Sequence, residues 1–288
     1  MLNNLMTRNR HLTQRIGFGI ITVMAFATVI PIVAVVVYIF IQGWSAISAD
    51  FLTTFPTNGM RSGGIYPAII GTVVLTLVAS IFVVPLGIAA AIYLAEYAGD
   101  TRLTRTIRIA IINLAGIPSV VYGLFGLGMF VLFFQFGTSI LAASLTLAIM
   151  TLPVVISTSE EALRAVPQGF RTVSISLGGT RWQTISRIVL KEALPGILTG
   201  VILGLERAAG ETAPILFTGA VFFLPSLPQS IFDPTMALPY HLFVISTQVP
   251  GMPVNIQYGT ALVLLAFVLT LNLTATIIRS RARAKRQW

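Results

Sequence analysis

The sequence predicts an all-α polytopic membrane protein with six transmembrane helices. Only 9% of its 288 residues are charged and 56% are hydrophobic, where a soluble domain carries about 25% charged residues. Uncharged runs of 34, 34 and 51 residues separate Arg15 from Asp50, Arg61 from Glu96 and Arg108 from Glu160, and a bilayer helix needs about 20 predominantly apolar residues. Of the 18 Lys and Arg, 16 fall in the two tails and in alternate loops, the distribution expected of cytoplasmic segments.

The elements follow in chain order. A tail at 1–17 carries Arg8, Arg10 and Arg15. The first span, 18–41, follows this basic stretch as a secretory signal would, but its apolar run is too long and lacks a small-residue cleavage site, so it reads as a retained anchor. Spans at 67–95, 110–134 and 139–158 come next, the last two divided by a tight turn at Gly137. A fifth span at 194–217 is apolar yet contains Glu206, Arg207 and Glu211, and a sixth covers 258–278. Residues 279–288 form a second basic tail, and both termini are expected in the cytoplasm. Only Arg61 sits in a loop on the opposite side of the predicted bilayer. The outward segment 219–257 is broken by six prolines, and its stretch Leu238 to Gln248 is too short to span, which suits an interfacial or re-entrant helix. No repeat or low-complexity linker interrupts 18–278, so one membrane domain, including a cytoplasmic loop at 159–193, accounts for the chain.

Several function classes are excluded. The net charge of +9 is distributed by topology rather than gathered on a solvated face, so no nucleic-acid partner is expected. Cys is absent, which removes thiolate metal sites and cysteine nucleophiles. A phosphate-cradling loop needs a lysine after glycine, and Lys191 and Lys285 are the only lysines, so the chain holds no ATP site of its own. His11 and His241 fall on opposite sides of the predicted bilayer; no metal is expected, and His241 reads as an interfacial polar residue. Protease signatures are missing. The chain reads as a non-enzyme without cofactor.

The cytoplasmic segment from Thr158 to Glu192 is far longer than a turn between two helices requires. It breaks at Pro167 and again at Gly178 and Gly179, where glycine tolerates the positive φ that ends a helix. Thr180 and Gln183 then have capping-box spacing. In the following helix Trp182, Ile185 and Val189 are expected on one face, with Thr184, Arg187 and Lys191 on another. These residues suit a helix lying at lipid headgroups as well as one docking on a partner.

The segment resembles the EAA loop of ABC importer permeases, whose pattern is Glu-Ala-Ala, three residues, Gly, nine residues, Ile-x-Leu-Pro. Gly178 matches the glycine, and Ile188 with Leu190 match the hydrophobic end. Thr172, Val173 and Ser174 stand in place of Glu-Ala-Ala, and Lys191 stands in place of the proline. Gly63-Gly64-Ile65 with Gly71-Thr72, the run Gly116 to Gly123, and Gly210-Glu211-Thr212-Ala213-Pro214 preceded by Arg207-Ala208-Ala209 are similar to the PstA-type membrane subunit of phosphate ABC importers. Glu206 departs from the small residue expected there. The resemblance implies a type I importer (MetI-like) permease fold in a bacterial-type inner membrane. It also implies a homologous PstC-type permease subunit as neighbour, a pair of ATP-binding ATPase subunits and an extracytoplasmic phosphate-binding protein. The cargo is then inorganic phosphate, and Gly178, Gly179, Arg181, Trp182, Ile188 and Leu190 form the ATPase coupling loop.

Three charges within six residues of a bilayer helix demand partners or a water-filled path. Arg207 and Glu211 are four apart, the spacing of an i,i+4 pair. Either they neutralise each other, or Arg207 meets an anionic substrate while Glu211 holds its guanidinium in the empty site. Glu206 points about 100° away from Arg207 around the helix. Gly116 and Pro118, followed by Ser119, predict a break in the third span whose freed amides face an oxyanion. Gly196, Gly200 and Gly204 recur every four residues and read as a packing groove, and Trp44 and Trp182 read as interfacial aromatics. Two rival readings share the charged pair: a permease for another oxyanion such as molybdate or sulfate, and an ion-coupled secondary transporter, which has no evident need of the long cytoplasmic loop.

Overall fold

The computed structural model describes residues 2–284; Lys285 and Arg286 of the basic tail lie outside them. The chain is helical almost throughout. Helix α1 (Leu2–Gly43) runs into a 3-10 turn (Trp44–Ala46) and the short α2 (Ala49–Thr53), and then the hairpin strands β1 (Pro56–Thr57) and β2 (Ser62–Gly63). Helix α3 (Tyr66–Ile92) follows and widens into a π turn at Tyr93–Tyr97. After it come α4 (Arg102–Ala115), α5 (Ser119–Gly126) with a π extension at Leu127–Phe133, and α6 (Ile140–Arg164). The loop at 159–193 folds as α7 (Gln168–Ser176) and α8 (Arg181–Thr184), joined by a π segment (Ile185–Val189) to α9 (Leu190–Gly210). The outer part holds α10 (Ala213–Thr218) and α11 (Leu238–Thr247), and α12 (Val254–Ala284) closes the chain.

Five helices are long and apolar enough to cross a bilayer, and six segments do so if α4 with α5 and its extension counts as one span. That third span breaks where Gly116 and Pro118 predict, and its first arm begins at Arg102 rather than at 110. The chain turns through 99° between Ala115 and Ser119, because Pro118 has no amide to donate and takes φ −57°, ψ 138°, outside the helical region. Helix α4 carries Arg102, Arg105 and Arg108 beside Ile107, Ile109 and Ile112, an amphipathic pattern suited to a membrane surface. The fifth span differs too: α9 ends at Gly210 and Glu211 is extended at ψ 132°, so Arg207 lies in the last helical turn rather than at mid-span. A cation there meets the negative end of the helix dipole.

Helices α3, α6 and α9 form the centre. Val83, Ala91, Val155, Leu163, Val189, Ala193 and Ile197 bury one layer, and Leu75, Ala79, Leu147, Met150, Ala208 and Ile215 the next. Lipid tails are as apolar as these side chains, so close approach through small residues supplies the packing gain. The glycine groove of α9 lies against α6, where Gly196 meets Ala162, Gly200 meets Thr158 and Gly204 meets Val155. On α3, Gly71 admits the backbone of the outer segment so closely that an added Cβ would stand 1.8 Å from the Met236 carbonyl oxygen.

The outer segment accounts for helix amides that lipid would leave orphaned. At the start of α6, Ile140 donates to the Asp233 carbonyl at 2.9 Å and Leu141 to the Ile231 carbonyl at 2.9 Å. Ala142 donates to the Ser139 hydroxyl at 3.2 Å. At the start of α11, Leu238 donates to Thr72 Oγ1 of α3 at 2.8 Å. His241 on α11 is not the interfacial residue expected from sequence: it is 2% exposed. Burial among apolar neighbours lowers its pKa to about 4, since an imidazolium there has no water to hydrate it.

Two outcomes follow. Gly71→Ala should destabilise the detergent-solubilised protein by about 1–3 kcal/mol, the usual cost of overpacking, while Gly128→Ala, whose Cβ meets nothing, should not; thermal unfolding of the two checks this. For His241 the folded pKa lies below the unfolded value of about 6.5, so the unfolded state binds the extra proton between these values. Its stabilisation is complete above pH 6.5 and is lost as pH falls toward 4. Replacing His241 by Gln should flatten the pH dependence of the melting temperature within that window, and equal slopes for both proteins would refute it.

Candidate translocation site and cytoplasmic docking surface

The outer end of α9 supplies the first candidate site. Arg207 Nε stands 3.4 Å from Glu211 Oε1, with the two side chains 34% and 20% exposed. The pair therefore exists, but in a form the helix alone does not dictate. Glu211 caps the helix in extended conformation and reaches back, and one long contact leaves most of the guanidinium fork open. Tyr122 of α5 is within electrostatic range of Arg207, and its hydroxyl donates to the Leu114 carbonyl at 2.8 Å across the break in the third span. The break at Gly116, Pro118 and Ser119 is thus bridged by the Tyr122 hydroxyl. Sequence reasoning quoted Tyr122 within a motif and gave it no role, because nothing local shows that its hydroxyl spans the bend.

Glu211 also lines a small cavity with Thr72, Thr76, Ala208 and Ile215. Glu206 joins neither Arg207 nor Glu211; its Oε1 is buried without a hydrogen-bond partner among the described residues. Chemically, the arrangement offers one partly committed guanidinium, a carboxylate able to hold or release it, and a half-buried carboxylate on an adjoining face.

The second candidate lies at the cytoplasmic loop. Gly178 has φ +84°, and the capping box forms as its spacing predicts: Gln183 N donates to Thr180 Oγ1 at 3.2 Å and Thr180 N to Gln183 Oε1 at 2.9 Å. Gly179 is needed for space, since a Cβ there would stand 2.8 Å from the Ser174 carbonyl. The expected face of Trp182, Ile185 and Val189 is split. Trp182 is exposed, whereas Ile185, Val189 and Thr184 are buried. Trp182 lies in α8 before the π segment, on the open edge of that face, while Ile185 and Val189 turn to the core. Leu190 accordingly packs into the central core, while Ile188 lines an apolar groove of about 620 Å³ with Phe170, Val173, Leu177 and Arg187. Leu177 at the tip is 84% exposed.

Charged residues bind this loop to the spans. Arg171 donates from Nη2 to Glu96 Oε1 at 2.5 Å and to the Leu163 carbonyl at 2.9 Å, and from Nη1 to the Val166 carbonyl at 2.8 Å. Arg181 donates to the Glu96 carbonyl and its guanidinium lies 4.9 Å from the Tyr97 ring centroid. Arg108 donates to Glu160 Oε1 at 2.8 Å and to the Leu94 carbonyl at 2.9 Å, and Arg164 also reaches Glu160 at 2.9 Å. Sequence reasoning used Glu96 and Glu160 only as ends of uncharged runs; partners 75 and 52 residues away leave no local signal.

Known proteins with this arrangement share one family. Residues 84–285 match the family described as binding-protein-dependent transport system inner membrane component. The phosphate transport system permease protein PstA 1 of Mycobacterium tuberculosis H37Rv is 35% identical over 285 residues, covering 96% of this chain and 92% of its own. The probable ABC transporter permease protein YqgI of Bacillus subtilis is 32% identical over 280 residues, covering 93% and 95%. Among solved structures, a bacterial alginate ABC transporter chain in complex with a pentasaccharide-bound periplasmic protein superposes with a TM-score of 0.63 at 15% identity, covering 90% of this chain and 94% of that one. A chain of the inward-facing MetNI methionine ABC transporter gives 0.61 at 18%, covering 75% and 94%. The six-segment helical architecture with its folded cytoplasmic loop, and the match over most of the chain, place it in the binding-protein-dependent transport system inner membrane component family.

Proposed function

We propose that the chain is the PstA-type permease subunit of an ATP-driven importer of inorganic phosphate. It forms half of the translocation pathway and moves with ATPase subunits docked at the cytoplasmic loop. The observation that carries the substrate is Arg207: it is only partly paired, part-buried and set in the last turn of α9, where a planar fork suits a tetrahedral oxyanion. The relatives support it, since several at 32–36% identity over most of this chain are named phosphate permeases. In this reading Glu211 keeps the empty site neutral and yields the guanidinium to passing phosphate. Of the break residues, Gly116 donates to the Asn113 carbonyl at 3.1 Å and Pro118 has no amide, so the expected anion contact falls to the start of α5 at Ser119. Glu206 meets the neighbouring PstC-type subunit.

At the cytoplasmic side the exposed apolar tip around Leu177 and Trp182, with the groove beside it, docks on one of two ATPase subunits that bind ATP. An extracytoplasmic phosphate-binding protein delivers cargo to the outer face. Gly178 and Gly179 shape the turn, Arg181 fixes it to the π turn after α3, and Ile188 floors the groove. Tail 1–17 and tail 279–288 lie in the cytoplasm, flanking the membrane domain at 18–278 with its loop at 159–193.

Replacing Arg207 and Glu211 together by Gln removes charge and countercharge at once. The reconstituted complex should assemble and hydrolyse ATP yet lose phosphate uptake by about tenfold or more, as when a charge-assisted contact worth one to three kcal/mol is removed. Uptake near the wild-type rate would leave the pair as a structural bridge. Topology is checked separately: cysteines introduced at Ser45 or Ser226 into this cysteine-free chain should react with an impermeant thiol reagent from outside, and reaction only after permeabilisation would reverse the orientation.

A further inference from the structure

The cytoplasmic ends of the central helices share one feature that docking alone does not require. A helix leaves its last four carbonyls without intrahelical partners, and here arginines from elsewhere in the chain take them. The Leu163 and Val166 carbonyls, at the end of α6 and just beyond it, both accept from Arg171 of α7. The Leu94 and Glu96 carbonyls, in the π turn that ends the second span, accept from Arg108 and Arg181. Each cation also meets the negative end of a helix dipole. Arg171 does more than cap. The same guanidinium grips Glu96, with the two side chains only 13% and 8% exposed, so its five donors hold three elements at once.

We infer that Arg171 is the positioning residue through which the docking helix moves the pathway: its guanidinium pins α7 to the end of α6 and, through Glu96, to the end of α3. Resting on the importer reading above, this adds the path of force within the chain. A ligand pressing on the exposed tip at Leu177 displaces α7, and the bonds from Arg171 to Glu96, Leu163 and Val166 carry that displacement to two helices of the central layer. Arg108 extends the pinned body to α4 through Glu160 and Leu94. Arg181 holds the far side of the same turn. The continuation into α9 is different, because there the link is the π segment Ile185–Val189, a geometry often found at functional joints. One side of the docking turn is therefore bolted and the other is jointed. Lys at position 171 would keep the charge but lose the fork, since an ammonium does not match two carbonyls and a carboxylate in one plane.

The test uses the complete complex in proteoliposomes with ATP inside and phosphate-loaded binding protein outside, arranged for uptake. Phosphate moved per ATP hydrolysed is read for wild type, Arg171→Lys and Glu96→Gln, each normalised to assembled complex. Both variants should retain ATP hydrolysis and lose about tenfold in that ratio, because a buried ion pair stripped of one partner no longer holds its elements together. A third protein, with cysteines at 96 and 171, should regain the ratio when a short bifunctional thiol reagent ties the two positions. A ratio unchanged in Arg171→Lys overturns the inference, as does a tied double-cysteine complex that hydrolyses ATP without regaining the ratio. Should Glu96→Gln fail to assemble, Arg171→Lys decides alone. Failure of the wild-type complex to take up phosphate on ATP would instead refute the importer reading.

Discussion

Every polar group at the end of a helix must find a partner within the protein, because the bilayer interior offers none. Much of this structure follows from where those partners come from. At the end that carries the 219–257 segment they are oxygens: the Ile231 and Asp233 carbonyls receive the first amides of α6, and the Thr72 hydroxyl receives the first amide of α11. At the end that carries the 159–193 loop they are guanidinium groups, with Arg108, Arg171 and Arg181 on the carbonyls that end α3 and α6. The outer segment and the cytoplasmic loop are therefore parts of the helical core's hydrogen bonding. Neither is a free connector.

This division matches the two tasks of the molecule. A carbonyl-to-amide seam at 231–235, with Gly71 admitting Met236, makes the outer end tight and short-ranged. Ionic side chains at the cytoplasmic end act over longer reach and bring together segments far apart in sequence. Between them, α9 carries Arg207 at its outer end and a π segment at its inner end. The helix that bears the candidate substrate contact is thus attached to the docking turn by the least regular stretch of backbone in the fifth span.

Legibility in the sequence tracks the range of the interaction. The capping box at Thr180 and Gln183, the positive φ of Gly178 and the turn at Gly137 were readable because each depends on a few adjacent residues. The spans were readable from hydropathy and from the placement of Lys and Arg. The end of α9 at Gly210 was not, since Thr212 to Phe217 continues the apolar run past the point where the backbone leaves the helix. The π segments were invisible for a related reason: they change register without changing composition. Glu96 with Arg171, and Tyr122 within electrostatic range of Arg207, depend on packing between distant elements. The pairing of Arg207 with Glu211 was legible as spacing, though not as a helix cap.

No residue in the apolar window of helix α1 is buried by the rest of the chain, and within the chain the helix packs only at its flank, against α12 and the 3-10 turn that follows it. Tyr38 meets the Tyr258 ring edge-on at 5.4 Å, and a Cβ on Gly43 would strike the Tyr258 carbonyl at 2.5 Å. The first helix made thus has its main seat on the last. At a synthesis rate of about 5–20 residues per second, α1 waits in lipid for tens of seconds until α12 emerges, while α3, α6 and α9 are already able to pack together. Assembly is completed by a handshake between the two ends of the chain.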